Sequence, residues 1–200
     1  MRETQVVLEN VRLSFVHLLK PYAAVPGAEE KYSVTILLPK TDTVAKAKLD
    51  AAIEAAKAWG REKKWGGSVP PICPTPIHDG DGVKQDGTDF GPECKGMWVM
   101  TASSKADRPV EVVDRQLNRI LDATEIYSGM YANVAINVYP YLYAAKKGIG
   151  FGLGPVQKTA DGESFGGAAP TAASVFTAIG GDAPQAAAAP KINPLTGQPM

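Results

Sequence analysis

A single stretch of this sequence has the spacing of an amphipathic α-helix, and this limits the folds open to the chain. Five apolar side chains fall at positions i, i+4, i+7, i+8 and i+11, which lie on one face of a helix. They are Ala45, Leu49, Ala52, Ile53 and Ala56. Thr41 or Asp42 has a side chain that can cap the start, and Gly60 is predicted to end the helix. A helix of about four turns is therefore expected.

The other regular segments alternate apolar and polar residues, which is the pattern of β-strands with one buried face. Tyr32, Val34, Ile36 and Leu38 show this alternation clearly. Strands are predicted over residues 7–15, 32–38, 97–102, 109–113, 131–139 and 149–156. Residues 66–91 are rich in Gly, Pro and Asp and are predicted to form a long loop.

About six short strands with one helix predict a mainly β fold, a small closed or partly closed barrel with the helix over one end. Strands with no helices between them cannot form a doubly wound parallel sheet. The chain has 200 residues, which suits one domain plus an appendage. In residues 167–200, Ala, Pro, Gly, Thr and Ser dominate, and Asp182 and Lys191 are the only charges. We predict a disordered tail there and a folded domain over residues 1–166.

Composition argues against several classes of protein. The longest apolar run, residues 134–143, is interrupted by Asn137 and Pro140, so no stretch approaches the roughly 20 residues that span a bilayer. The N-terminus lacks the basic and apolar regions of a secretory signal. Cys73 and Cys94 are too few for a disulfide framework and are expected to be reduced thiols in a cytoplasm. The 21 basic and 21 acidic residues exclude a polycation, but they are compatible with a nucleic-acid binder whose positive groups lie on one face.

The predicted strand around Ile136 has two chemically different faces. Alternation places Ala132, Val134, Ile136 and Val138 on the face that must be the core. The other face and the residues just beyond it carry tyrosines, amides and lysines: Tyr131, Asn133, Asn137, Tyr139, Tyr141, Tyr143, Lys146 and Lys147. Aromatic rings stack on bases for about 1–3 kcal/mol per base, and cations neutralise the phosphates. Two interpretations stay open: a single-strand-binding surface, or tyrosines packed beneath the helix or a loop.

A second aromatic and basic cluster follows the helix. Trp59 and Trp65 flank Arg61, Lys63 and Lys64, and this mixture suits a nucleic-acid backbone. We predict that Trp65 is exposed and binds nucleic acid, whereas Trp59 continues the helix and packs into the mouth of the barrel. The alternative is a solvated charged turn with both indoles buried.

Cations near the first two strands form a third candidate set. Arg12, Lys20 and Lys31 could line one groove together with the tyrosine face of the strand around Ile136. Scattered surface cations are common, so this set carries little weight.

The residue pattern predicts no metal, cofactor or catalytic site. Cys73, His78 and Cys94 lack the CxxC spacing that is typical of zinc sites. Residues 79–82 resemble the start of a calcium loop but lack its later ligands, and an Asx turn explains them more simply. The glycine-rich residues 148–154 open no helix and are predicted to be a strand that bends sharply or is closely approached by another backbone.

Short motifs in a fixed order carry a family resemblance. They are Ser14-Phe15, Lys31-Tyr32-Ser33-Val34, Leu38-Pro39-Lys40-Thr41-Asp42-Thr43, Lys64-Trp65-Gly66-Gly67, Asp79-Gly80-Asp81, Tyr127-Ser128-Gly129-Met130-Tyr131 and Lys147-Gly148-Ile149. In this order they resemble the bacteriophage single-stranded DNA-binding family typified by the Enc34 phage protein, over about residues 5–167. The resemblance implies an OB-fold related to the phage T7 type of single-stranded DNA-binding protein.

The resemblance also implies a function. It indicates non-enzymatic coating of displaced single-stranded DNA during phage DNA replication, recombination or repair, in the cytoplasm of the infected bacterial host. Weaker binding to double-stranded DNA, contacts with phage replication or recombination proteins, and a homo-oligomer stay open. Related proteins often end in an acidic tail, and this chain departs from that pattern because residues 193–200 contain no acid.

Two other classes of function stay open from the residues. A β-rich body with an Ala/Pro-rich tail would suit a phage structural or assembly protein. A metal-dependent nuclease would use His78, Asp79 and Asp81. The enzyme is the weaker hypothesis, because no hydrolase, metalloprotease or P-loop motif occurs.

Overall fold

The computed structural model describes residues 3–23, 25–84, 86–144 and 146–166, which contain seven strands and one α-helix. The strands are β1 (Gln5–Tyr22), β2 (Lys31–Pro39), β3 (Ile77–Asp79), β4 (Met97–Lys105), β5 (Val112–Val113), β6 (Tyr131–Tyr143) and β7 (Lys146–Ala160). The helix α1 spans Thr43–Lys63. The predicted tail, residues 167–200, lies outside the described residues.

Five strands close into a barrel. The hydrogen-bonded order is β3-β4-β2-β1-β6-β7-β5, and a parallel bridge between Ser103 of β4 and Gly152 of β7 joins the two sides. Strands β1, β2, β4, β6 and β7 therefore form a closed barrel like that of the OB-fold, and β3 and β5 extend it. The predicted mainly β barrel with one helix is confirmed.

The helix packs against β6, β1 and β7 through the face that the sequence predicts. The five apolar residues named above are all buried. Asp42 is the N-cap, and its carboxylate accepts a hydrogen bond from the backbone N–H of Ala45 at 2.9 Å. The prediction that Gly60 ends the helix is wrong, because the helix continues to Lys63. Gly60 is instead a point of close packing, where a Cβ would lie 2.8 Å from Cβ of Pro140.

The long passage over residues 66–91 contains a short strand that the sequence does not predict. This strand, β3, pairs antiparallel with β4. Near it lies a second small apolar cluster, formed by Leu37, Cys94 and Val99 with Phe90, Met97 and Phe165 packed around them. The ammonium of Lys40 bonds to the carboxylates of Asp79 and Asp81, which holds this passage against the end of β2.

Two expectations from composition bear on the class of protein. No α-helix within the described ranges is long and apolar enough to cross a membrane. Cys73 and Cys94 are free thiols, as expected, and burial raises the pKa of each.

Candidate nucleic-acid interface

Strand β6 presents the two faces that its sequence predicts. The side chains of Val134 and Val138 are buried in the barrel core. On the outer face Asn137 and Tyr139 are exposed, and Tyr139 keeps 37% of its surface accessible. Tyr143, the last residue of the strand, is 79% exposed. The outer face is therefore open along the second half of β6.

Two surface clefts meet at Asn137 and Tyr139. The first, of about 560 Å³, extends toward α1 and is also lined by Glu3, Thr4, Ala55, Trp59 and Val138. The second, of about 480 Å³, extends toward β4 and is also lined by Ser103, Ser104, Lys105, Arg108, Gly152, Leu153 and Gly154. We call the two clefts together the Tyr139 trough.

Cations lie toward both ends of the Tyr139 trough. Lys105 and Arg108 line the β4 end. At the helix end, Nζ of Lys64 lies 5.4 Å from the centroid of the Trp59 ring. In the part of the chain that the structure describes, Lys64, Lys105 and Arg108 form no ion pair with a carboxylate. Their charges are therefore available to attract phosphates.

The two tryptophans of the helix exit are placed opposite to the prediction. Trp65 is only 2% exposed, and its Nε1 donates a hydrogen bond to the carbonyl of Tyr141 at 3.0 Å. Trp59 is 45% exposed. Gly66 and Gly67 adopt positive φ, so the chain turns back on itself just after Trp65. Trp65 therefore cannot stack on a base, and Trp59 supplies the exposed indole.

Side chains in the first half of β6 contact other parts of the fold. The guanidinium of Arg12 lies 5.7 Å from the Tyr131 ring and 4.3 Å from the Phe165 ring, and it donates hydrogen bonds to two backbone carbonyls. The side chain of Asn133 bonds to the backbone N–H of Asn10 and to the side chain of Gln157. Tyr131 lies eight residues from Tyr139, or about 27 Å along an extended strand. The structure does not bring Arg12, Tyr131 and Asn133 into the Tyr139 trough.

Several other predicted residues do not line either cleft. Tyr141 is half-buried, and Lys147 donates a hydrogen bond from Nζ to the carbonyl of Trp65 at 2.9 Å. Lys63 and Lys146 are exposed. Lys31 of β2 lies opposite Lys105 of β4 in the strand register. Its ammonium forms an ion pair with Glu29 at 3.2 Å.

Sequence reasoning missed the residues that line the β4 side of the trough. Ser103, Lys105 and Arg108 approach Tyr139 because closure of the barrel brings β4 beside β7. That contact is nonlocal, and no periodic pattern reports it. The signal available in the sequence was two basic residues, Lys105 and Arg108, just after the strand predicted over residues 97–102.

The acidic residues of the nuclease hypothesis already have a cationic partner. The ammonium of Lys40 donates hydrogen bonds to Asp79 and Asp81, which lowers the pKa of both carboxyls and raises the pKa of Lys40. Within the described ranges, no group of three His, Cys, Asp or Glu side chains could hold a metal ion. In the folded protein the carboxylates of Asp79 and Asp81 are therefore bonded to Lys40.

The fold and the trough together define a class of protein. A closed five-stranded barrel with exposed rings and cations along one trough is typical of OB-fold proteins suited to single-stranded nucleic acid. The chain belongs to the ssDNA-binding protein family of Enterobacter phage Enc34, whose family profile matches residues 4–187. The resemblance inferred from the motifs is thereby confirmed.

Solved structures agree with this assignment. The single-stranded DNA-binding protein from bacteriophage Enc34 in complex with ssDNA is 32% identical, with a TM-score of 0.69 over 82% of this chain and 90% of that chain. A second Enc34 structure is 30% identical, with a TM-score of 0.67 over 88% and 92% of the two chains. The gp2.5 single-stranded DNA-binding protein encoded by bacteriophage T7 is 18% identical with a TM-score of 0.53 over 88% and 95%, so it shares the fold. No curated protein matches the sequence.

Proposed function

We propose that this protein binds single-stranded DNA in the Tyr139 trough and coats displaced strands without catalysing a reaction on them. The observation that carries the proposal is the position of Tyr139, an exposed ring where two clefts meet, with Trp59 in one cleft and Lys105 and Arg108 in the other. Membership of the Enc34 family, one of whose proteins is solved with ssDNA, supports the same ligand.

Each part of the trough has a distinct task in this mechanism. Cations at its two ends attract the phosphates, and the release of their counterions supplies part of the affinity. Bases stack on the rings of Tyr139 and Trp59 with little sequence preference, because every base has a π-face. The Asn137 amide adds hydrogen bonds to whatever base edge lies beside it. The predicted contributions of Lys63, Tyr143 and Lys146, whose side chains are exposed, belong to the same proposal.

Membership of the Enc34 family supports a proposal for the biological setting. We place the protein on strands displaced during phage DNA replication, recombination or repair, in the cytoplasm of the infected bacterial host. Double-stranded DNA is expected to bind more weakly, because paired bases cannot lie on the rings.

A gel-retardation assay tests this function. The full-length protein is mixed with labelled single-stranded and double-stranded DNA of equal length, with and without magnesium. We expect retardation of the single strand at lower protein concentration, no magnesium requirement and no shortened products. Magnesium-dependent cleavage, or the absence of retardation for single strands, would contradict the proposal.

A further inference from the structure

The glycines of β7 form a regular row along one face of the strand. They occupy every second position from 148 to 154, so they point to the same side. Three of them lie directly across the sheet from outer-face residues of β6. The cross-strand pairs are Tyr141 with Gly148, Tyr139 with Gly150 and Asn137 with Gly152.

Backbone conformation does not explain this row. No glycine of β7 has the positive φ that L-residues avoid. Glycine also weakens the interior of a strand, because it has no side chain to pack and loses more conformational entropy on folding. A row of glycines in a central strand of the barrel therefore needs a reason in the space around it.

The tyrosine rings of β6 fill the space that glycine side chains leave free. A Cβ on Gly150 would lie 2.6 Å from Cζ of Tyr139, and a Cβ on Gly148 would lie 2.7 Å from Cζ of Tyr141. Nonbonded carbon atoms pack at about 3.5–4.0 Å, so neither ring could stay in place beside an alanine. The sequence predicts a sharp bend here or a close approach by another backbone, and at these two positions that prediction is wrong, because side chains approach the glycines.

This arrangement leaves part of each ring accessible. The Tyr139 ring lies against the backbone of β7, yet 37% of the residue is exposed, and this surface lines both clefts. Aromatic residues opposite glycines also stabilise sheets by covering the bare backbone. Covering the backbone would not by itself require the ring to lie where the two clefts meet.

We propose that Gly148 and Gly150 are positioning residues of the DNA interface. Because they lack a Cβ, they allow the Tyr141 and Tyr139 rings to lie on β7 with a face turned outward for stacking. This inference rests on the proposed function and adds to it the cause of the ring orientation. Gly150 carries the stronger effect, since Tyr141 is more buried than Tyr139.

Two alanine variants on the same face of β7 test the inference. At Gly150 the added methyl group clashes with Tyr139, whereas at Gly152 it lies 3.4 Å from the carbonyl oxygen of Asn137 and 3.7 Å from Cε1 of Tyr139, which are ordinary contacts. We expect Gly150→Ala to weaken binding to oligo-dT in fluorescence anisotropy by about fivefold or more. Gly152→Ala adds a methyl group to the lining of the trough without displacing the ring, so it should weaken binding less than Gly150→Ala does. Wild-type affinity in Gly150→Ala would overturn the inference.

A double variant separates positioning from a general effect on the sheet. If Gly150 acts only through the ring, Tyr139→Ala/Gly150→Ala binds as Tyr139→Ala does, because no ring remains to be displaced. A further loss in the double variant would overturn the inference. The double variant also lacks the clash, so it serves this purpose even where Gly150→Ala fails to fold. Wild-type affinity in Tyr139→Ala would instead contradict the proposed function itself.

Discussion

At the scale of single residues, the surroundings of each indole decide its role. Trp65 is buried in the barrel core and donates a hydrogen bond, whereas Trp59 is exposed beside Lys64. We predict that Trp65→Ala lowers the free energy of unfolding by about 3–5 kcal/mol, because it leaves a cavity, and that urea denaturation detects the loss. Trp59→Ala should change the stability little and weaken oligo-dT binding. Each variant is the control for the other, and the reverse pattern would contradict these assignments.

The Lys40 ion pairs predict a pH-dependent contribution to stability. Hydrogen bonds from Lys40 lower the pKa of Asp79 and Asp81 in the folded state. Their contribution is therefore complete above the ordinary carboxyl pKa of about 3.9 and is lost as the pH falls through the lower folded pKa. Lys40→Met should lower the urea midpoint at pH 7, and its difference from the wild type should shrink as the pH falls below about 4. Lys84→Met, which removes an exposed lysine outside these pairs, is the control. A difference that stays constant with pH would contradict the prediction.

At the scale of elements, the helix shows packing overriding intrinsic propensity. Alanine favours a helix interior over glycine by about 1 kcal/mol. At Gly60, however, a Cβ would lie 2.8 Å from Pro140 and 2.9 Å from the Trp65 ring, and overpacking of this kind costs about 1–3 kcal/mol. We therefore expect Gly60→Ala to lower Tm. Ala58→Gly, at an exposed position of the same helix, measures the propensity term alone. A higher Tm in Gly60→Ala would show that the packing there is loose.

The β4 edge of the trough is tested by the dependence of binding on salt. For single strands the slope of log K against log salt is about −0.7 per neutralised phosphate. If Lys105 and Arg108 each contact one phosphate, Lys105→Ala/Arg108→Ala should make the slope shallower by about 1.4. The charge-matched control is Lys84→Ala/Lys95→Ala, which lies outside the trough. Equal slopes in both double variants would show that Lys105 and Arg108 do not contact the phosphates.

At the scale of the whole molecule, local patterns predicted the helix and the five barrel strands, but they predicted neither β3 nor which elements lie side by side. The helix and the predicted strands follow from periodicity, because the chain must bury one face of each. The register between β6 and β7 and the closure of β4 against β7 depend on contacts distant in sequence, and these create the Tyr139 trough. Tyr139 was predicted from its own strand, whereas Lys105 and Arg108 became visible only in the closed barrel. Trp65 was misplaced because its burial depends on Gly66 and Gly67 turning the chain back.

The glycine row also shows that a local sequence pattern does not identify the contacts that a residue makes in the fold. Its spacing is visible in the sequence and predicts a sharp bend or a close approach by another backbone, whereas tyrosine side chains approach Gly148 and Gly150. The partner could not be named, because the rings that lie on Gly148 and Gly150 come from β6 through the sheet register.

The exposed ring of Tyr139 is the central element of the proposed DNA interface. We expect Tyr139→Ala to keep the far-UV spectrum of the wild type, with a lower Tm because the ring no longer covers Gly150, and to weaken binding to oligo-dT by about 1–3 kcal/mol in fluorescence anisotropy. Tyr139→Phe keeps the ring without the hydroxyl and should bind as tightly as the wild type. Unchanged affinity in a folded Tyr139→Ala protein would contradict base stacking in the Tyr139 trough.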